Sequence, residues 1–282
     1  TEKTTVTLSN IEVSEKLFFV LLEKTKVTIG ERVSITKHVD SEDCIRESSM
    51  ARETPIWLEG HNALSNLTRE NIERIPPGSI GCYLKEARLY NTGLINILPK
   101  LGINEDSEVE WLWVVATEKE DVSEILSQEN PVCVGSVETM TLKDYAVSIL
   151  PKLKTHENSE VKLLTLGATK KEHVAEILSQ EKPVFVGRVN GMVLAKYAVS
   201  VLPKLRIDND NTMEKFVLSA DEFHFSRILE EEDKSIEVGR IRRGGFDVPE
   251  GIRRKLGYTL VDGGGKESSR WRGKGRARRK IF

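Results

Sequence analysis

The sequence predicts an α/β fold: a curved strand–helix solenoid with a parallel sheet inside and helices outside. Three observations carry this expectation. The stretch SEILSQENPVCVGSVETMTLKDYAVSILPKL, Ser123 to Leu153, returns one repeat later as AEILSQEKPVFVGRVNGMVLAKYAVSVLPKL, Ala175 to Leu205. About two-thirds of the positions are identical, and the unchanged ones are largely apolar. Within and around these copies a short apolar pattern recurs at intervals of roughly 23 to roughly 28 residues, a period typical of repeat arrays. Each occurrence is followed by a stretch with helical periodicity. Such repetition marks stacked supersecondary units, because one strand–helix unit cannot bury its own apolar face.

The units follow in order. TTVTL at Thr4 is expected to be the first strand, with weaker ones near Val33 and Ile56. The clearer patterns are LKEARL at Leu84, VEWLWV at Val109, VETMTL at Val137, VKLLTL at Val161, VNGMVL at Val189 and MEKFVL at Met213, with a looser IEVGRI at Ile236. Alternation of apolar and polar positions is the signal of a half-buried strand. Between Val109 and Met213 a longer step of roughly 28 residues alternates with a shorter one of roughly 24 residues. On this register Leu112, Met140, Leu164, Met192 and Phe216 form a ladder in the core. EKEDVSEILSQ and KKEHVAEILSQ place Val122, Ile125 and Leu126, then Val174, Ile177 and Leu178, on one helical face. Pro151 and Pro203 are expected to end the helical stretches before each LPKL, since proline lacks the amide donor. About ten units fill residues 1–241, residues 242–265 form a C-terminal cap ending in the strand YTLV, and 266–282 form a basic tail too poor in apolar residues to pack.

These patterns resemble leucine-rich repeats of the ribonuclease-inhibitor and NLR-receptor type. The likeness lies in the L-x-x-L-x-L strand, the two alternating unit lengths and the link ILSQENPVCVGSVETMTL, and covers Leu84 to Ile241 best. It implies a horseshoe and non-catalytic protein–protein recognition, as in the ligand-sensing part of an intracellular receptor of innate immunity. The sequence departs from the family at the ninth motif position. Asn or Cys is usual there, and this chain has Thr92, Thr117, Tyr145, Thr169, Tyr197 and Asp221. The doubled strand–helix–strand–helix period also fits tandem small βαβα modules of the Alba-like kind, and that alternative stays open.

Nothing in the sequence points to catalysis. GGGKESS at Gly263 lacks phosphate-loop spacing, no G-x-S-x-G elbow occurs, and the five histidines show no metal-ligand spacing. His173 reads as a solvated helix residue. No cofactor or metal is expected. Three scattered cysteines, Cys44, Cys82 and Cys133, argue against a disulfide framework and for a reducing, intracellular, cytoplasmic setting. No apolar run is long enough for a membrane helix. The chain begins at Thr1 and reads as a fragment or a processed product.

Two surfaces are candidates for binding. Trp111 and Trp113 flank the core residue Leu112 and point to the concave face, with Arg88 and Tyr90 before them and Glu138, Thr139 and Thr141 after. Tryptophan is enriched where proteins bind, so a protein partner is expected there. The other surface is the tail. Residues 266–282 hold eight Lys or Arg against one Glu, a charge of +7, which leaves −9 on the rest of a chain whose net charge is −2. Arg270, Trp271, Arg272, Lys274, Arg276, Arg278, Arg279 and Lys280 suit nucleic acid or an acidic partner, including an organellar ribosome. The sequence leaves the oligomeric state open.

Overall fold

The alternating apolar residues of the repeat fall into one line across the molecule. The computed structural model describes residues 4–47, 54–61, 63–104, 106–156, 159–208 and 210–262. In it Leu112, Met140, Leu164, Met192 and Phe216 stand in register on five neighbouring parallel strands, with a longer and a shorter step alternating along the chain. All five are buried. Ala87 continues the line on one side and Phe246 on the other.

These strands belong to a 12-stranded sheet, ten strands in one path and two more, Pro55–Gly60 and Leu101–Ile103, each paired with Ile80–Tyr90. From one edge it runs Phe246–Asp247, Lys215–Ser219, Gly191–Lys196, Leu163–Ala168, Ser136–Asp144, Glu108–Ala116, Ile80–Tyr90, Val33–Thr36, Ile11–Ser14 and Ile45–Glu47. From Ile80–Tyr90 to Phe246–Asp247 neighbours are consecutive units of the chain. Every pairing is parallel except the last, where Ile11–Ser14 meets Ile45–Glu47 antiparallel. The fold is therefore mixed α/β with mostly parallel sheets, and none of the described sheets closes into a barrel. A second tier of short parallel strands precedes the main ones: Val132–Cys133 with Leu153–Lys154, Val184–Val189 with Leu205–Ile207, and Ile236–Arg242 with Leu256–Val261.

The second tier moves the seventh motif. Met213 pairs with Ile241, not Ile236, so the motif begins at Ile241 and a longer step again follows a shorter one. Ile236 instead matches Val184 and Val132, because each of the three opens a V-x-V-G-x-V pattern, with Ile for the outer valines in the last copy. Its glycines, Gly135, Gly187 and Gly239, have φ of +72°, +66° and +78°, a region that costs other residues strain. At Gly135 a Cβ would also lie 2.6 Å from the Ser107 carbonyl oxygen.

The helical segments are shorter and tighter than the sequence predicts. The LPKL stretches are 3₁₀ helices, Gly93–Lys100, Tyr145–Lys152 and Tyr197–Lys204, and Pro99, Pro151 and Pro203 sit inside their last turn rather than beyond it. The following Leu101, Leu153 and Leu205 close each turn by donating to Leu98, Leu150 and Leu202. The EKEDVSEILSQ stretch is a 3₁₀ turn, Lys119–Val122, then a short α-helix, Ser123–Ser127. Val122, Ile125, Val174 and Ile177 are buried as expected, whereas Leu126 and Leu178 are only partly so.

A lysine joins each unit to the previous one. Lys152 Nζ donates to the Gln128 carbonyl at 2.5 Å, Lys204 to that of Gln180, and Lys255 to that of Glu231 at 2.5 Å. Each acceptor is the C-cap of a short α-helix, where free carbonyls and the negative end of the dipole favour a cation. Lys100 repeats the arrangement with the Glu73 carbonyl at 3.4 Å and Glu124 at 2.7 Å. Lys255–Leu256 follows Lys204–Leu205 by one full repeat less one position, so the repeat's lysine and its strand continue into the segment read as a cap.

Two turns are capped one position earlier than the family pattern implies, while Thr92 and Asp221, at the family position itself, accept from the amides of Leu94 and His224. Asn91 and Asp144 adopt φ of 47° and 56°. Their side chains accept from the amides of Thr117, at 3.1 Å, and Thr169, at 2.9 Å. Tyr145 and Tyr197 pack instead on His173 and His224, at ring distances of 4.6 and 4.4 Å. His173 is thus not the solvated helix residue that its charged neighbours imply: it is 2% exposed.

At the N-terminal end Asn71, buried in the helix Asn66–Arg74, bonds the Val27 amide and the Leu22 and Thr25 carbonyls, fixing the end of the helix Glu15–Lys24. Among the described residues no helix is long and apolar enough to cross a membrane. The tail lies outside the described residues, including Arg270, Trp271, Arg272, Lys274, Arg276, Arg278, Arg279 and Lys280, as does GGGKESS.

Removing one lysine cap should be costly. A hydrogen bond from a charged donor is worth about 1.5–3 kcal/mol. Lys152→Met is expected to lower the melting temperature by about 5 °C, while Lys171→Met, at an exposed position without a cap role, leaves it unchanged. Equal melting of both variants would contradict the capping role.

Candidate binding face

One face of the main sheet carries the helical segments, and the alternate side chains of its strands point away from them. Along Glu108–Ala116 the residues Leu112, Val114 and Ala116 are buried, while Trp111, Trp113 and Val115 keep exposed surface. Register sets their neighbours. Trp111 lies between Glu86 and Thr139, Trp113 between Arg88 and Thr141, and Val115 between Tyr90 and Lys143. The sequence therefore places Arg88, Tyr90, Trp111, Trp113, Thr139 and Thr141 on one surface, and the structure brings these six together.

The two indoles differ. Trp111 is 41% exposed, with the Arg88 guanidinium 6.0 Å from its ring centre. Trp113 is half-buried by its own neighbours: the Tyr90 ring lies 5.5 Å away at 53°, and Lys143 Nζ sits 5.5 Å over the ring. Its indole N–H is buried and makes no hydrogen bond. Arg88 also contacts the carboxylate of Glu86. Cations over indole faces are attracted by the ring quadrupole, so the cluster is held in place before anything binds.

Glu138 belongs elsewhere. It pairs with Lys162 at 2.7 Å, and one strand pair away Lys85 pairs with Glu110 at 3.1 Å, both partly exposed. The Glu110 hydrogen bond, against some burial, holds the Lys85 ammonium above its ordinary pKa.

Sequence reasoning missed three members of the face. Trp57, on the strand Pro55–Gly60, is 37% exposed and carries Lys37 Nζ 4.4 Å over its ring. It stands in register with Glu86, one strand from Trp111, because a bulge follows Ile56. The alternation of Ile56, Trp57 and Leu58 signals its outward direction, but the bulge leaves no trace in spacing. His61 stacks on Tyr90 at 4.9 Å and 15°. Lys143 is the next outward position after Thr139 and Thr141, and alternation alone identifies it.

Past Thr141 the face becomes small and smooth. The row continues through Thr165, Val193 and Val217. Aromatic bulk thus stands at one end of a shallow, largely uncharged floor. Among the described residues no three His, Cys, Asp or Glu side chains are grouped to hold a metal ion. Asp121, whose carboxyl is pushed above the usual range chiefly by burial, with Arg69 opposing, stands on the helical side of the molecule. No protein-family model, curated protein or solved structure matches this chain.

The difference between the indoles predicts different stabilities. Trp113→Ala removes packed surface and should cost about 2 kcal/mol, whereas Trp111→Ala should stay within about 0.5 kcal/mol of the parent. Chemical denaturation of both variants tests this, and equal losses would contradict the assignment of one indole to packing and the other to an open surface.

Proposed function

We propose that the chain is a curved strand–helix solenoid that recognises a protein partner, without catalysis, through the sheet face centred on Trp111. The observation that carries the reading is the pair of exposed indoles, Trp57 and Trp111, on the two strands that flank Ile80–Tyr90, both in register with Glu86 and set among Tyr90, Arg88 and Lys143. Soluble chains rarely leave grouped aromatic surface without a use, and Trp, Tyr and Arg dominate protein hot spots. The consecutive order of parallel strands supports stacking of the repeats. One sheet runs through both copies of the repeat, which favours it over independent βαβα modules. The leucine-rich-repeat likeness adds the expectation of a receptor-type recognition role, and this step is analogy.

The basic tail supports a second reading, nucleic-acid binding, because +7 on residues 266–282 contrasts with −9 on the rest.

Two measurements test the proposal. Small-angle scattering should report an elongated arc, while a sphere or separate beads would count against the solenoid. Trp111→Ala should weaken binding to a partner captured by the parent chain by roughly thirtyfold, about 2 kcal/mol. Unchanged partner binding, together with salt-sensitive binding to single-stranded RNA that disappears on deleting residues 263–282, would favour the nucleic-acid reading.

A further inference from the structure

The second tier of strands is interrupted between the two copies. Leu153–Lys154 pairs back to Val132–Cys133, and residues 184–187 pair forward to Leu205–Ile207. Their continuations in the main sheet, Leu163–Ala168 and Gly191–Lys196, are direct neighbours. Yet among the described residues no ladder joins Leu153–Lys154 to the strand that begins at Val184. The chain explains part of this. Pro183 leads into that strand, and a proline starts a strand edge without an amide donor.

The interruption opens as a groove of about 600 Å³. Leu153, Phe185 and Val186 give it apolar walls. Phe185 is 74% exposed, more than any other large hydrophobic side chain among the described residues. Lys154, Lys182 and Arg188 line the same groove, are exposed, and make no ion pair among the described residues. Among the described residues Asp208 is the one carboxylate lining it, and Glu160 stands in register beside Arg188. On a body of charge −9, three unpaired cations around apolar walls run against the general balance.

Comparison of the copies sharpens the point. A similar groove, about 560 Å³, lies one repeat earlier and is lined by Gly102, Asn130 and Cys133. These stand where Lys154, Lys182 and Phe185 stand in the later one, and Ser136 matches Arg188. The chain thus places an aromatic and three cationic differences around one of two equivalent grooves.

We propose that the groove between Leu153–Lys154 and the strand beginning at Val184 takes an extended acidic peptide segment of a partner protein as an added strand. The peptide main chain bonds the free edges of Leu153–Lys154 and of residues 184–187, since Arg188–Val189 already pairs with Glu160–Val161; its apolar side chains lie on Phe185 and Val186, and its carboxylates face Lys154, Lys182 and Arg188. Strand addition draws affinity from main-chain hydrogen bonds and specificity from alternate side chains. This surface is separate from the Trp111 face and does not rest on it.

Fluorescence anisotropy of the full chain with the labelled heptapeptide Thr-Asp-Val-Glu-Val-Asp-Thr tests this. The expected result is saturable binding that weakens with salt, no binding of the same peptide with lysine at the acidic positions, and none when its alternate amides are N-methylated. Phe185→Ser and Arg188→Glu should each weaken binding about tenfold or more, while Trp111→Ala leaves it unchanged. Lys182→Glu, at an exposed position away from the core, reads the same charge dependence should either of the first two variants fail to fold. No binding of the acidic peptide would leave the lysines as guards of a strand edge and overturn the proposal. Equal binding of the lysine or N-methylated peptide, or loss of binding in Trp111→Ala, would overturn it as well.

Discussion

The register of the inward-facing side chains is the constraint on which the rest of the structure depends. Leu112, Met140, Leu164, Met192 and Phe216 touch the core at the same level of successive strands. Side chains alternate across a strand with a period of two, so a slip by one residue would turn every core side chain outward. Longer and shorter units alternate without disturbing the register, because each pair of them sums to the full repeat. No unit buries its apolar face alone. The helical segments close the other side of the core, and the repeated lysines tie each short helix to the next unit. The outward face inherits its order from the same register: Trp111 and Trp113 are where they are because Leu112 is buried.

Much of the core was legible in the sequence, since burial and alternation leave a direct imprint on residue type. The ladder could be written down from the positions of Leu, Met and Phe alone. What was not legible has specific causes. The IEVGRI pattern at Ile236 looks like the strand motif because V-x-V-G-x-V and L-x-x-L-x-L share apolar spacing, and only pairing assigns the motif to Ile241. The 3₁₀ helices tolerate Pro151 and Pro203 inside their last turn, so the prolines marked helix ends a turn too early. His173 sits among charged neighbours in sequence and under Tyr145 in space. The lysine of LPKL looks like a solvated charge, and its partner carbonyl belongs to the preceding unit, as with Lys152 and Gln128.

The candidate binding face shows the same division. Six of its residues follow from alternation on strands that the sequence identifies. Trp57 and His61 do not, because they reach the cluster through a bulge and a stacked ring. Cation–aromatic contacts recur at all three tryptophans of the face: Lys37 with Trp57, Arg88 with Trp111, Lys143 with Trp113. Side chains already held in this way would lose less freedom on binding, which supports the proposed recognition by a preformed surface.

Whether the units share one core is tested most directly by native-state hydrogen exchange on Met192→Ala. The substitution leaves a cavity at one rung and should cost about 2–5 kcal/mol. A shared core predicts that amides of Leu163–Ala168 and Lys215–Ser219 lose protection together with those of Gly191–Lys196. Loss confined to Gly191–Lys196, with both neighbouring strands protected as in the parent, would contradict it.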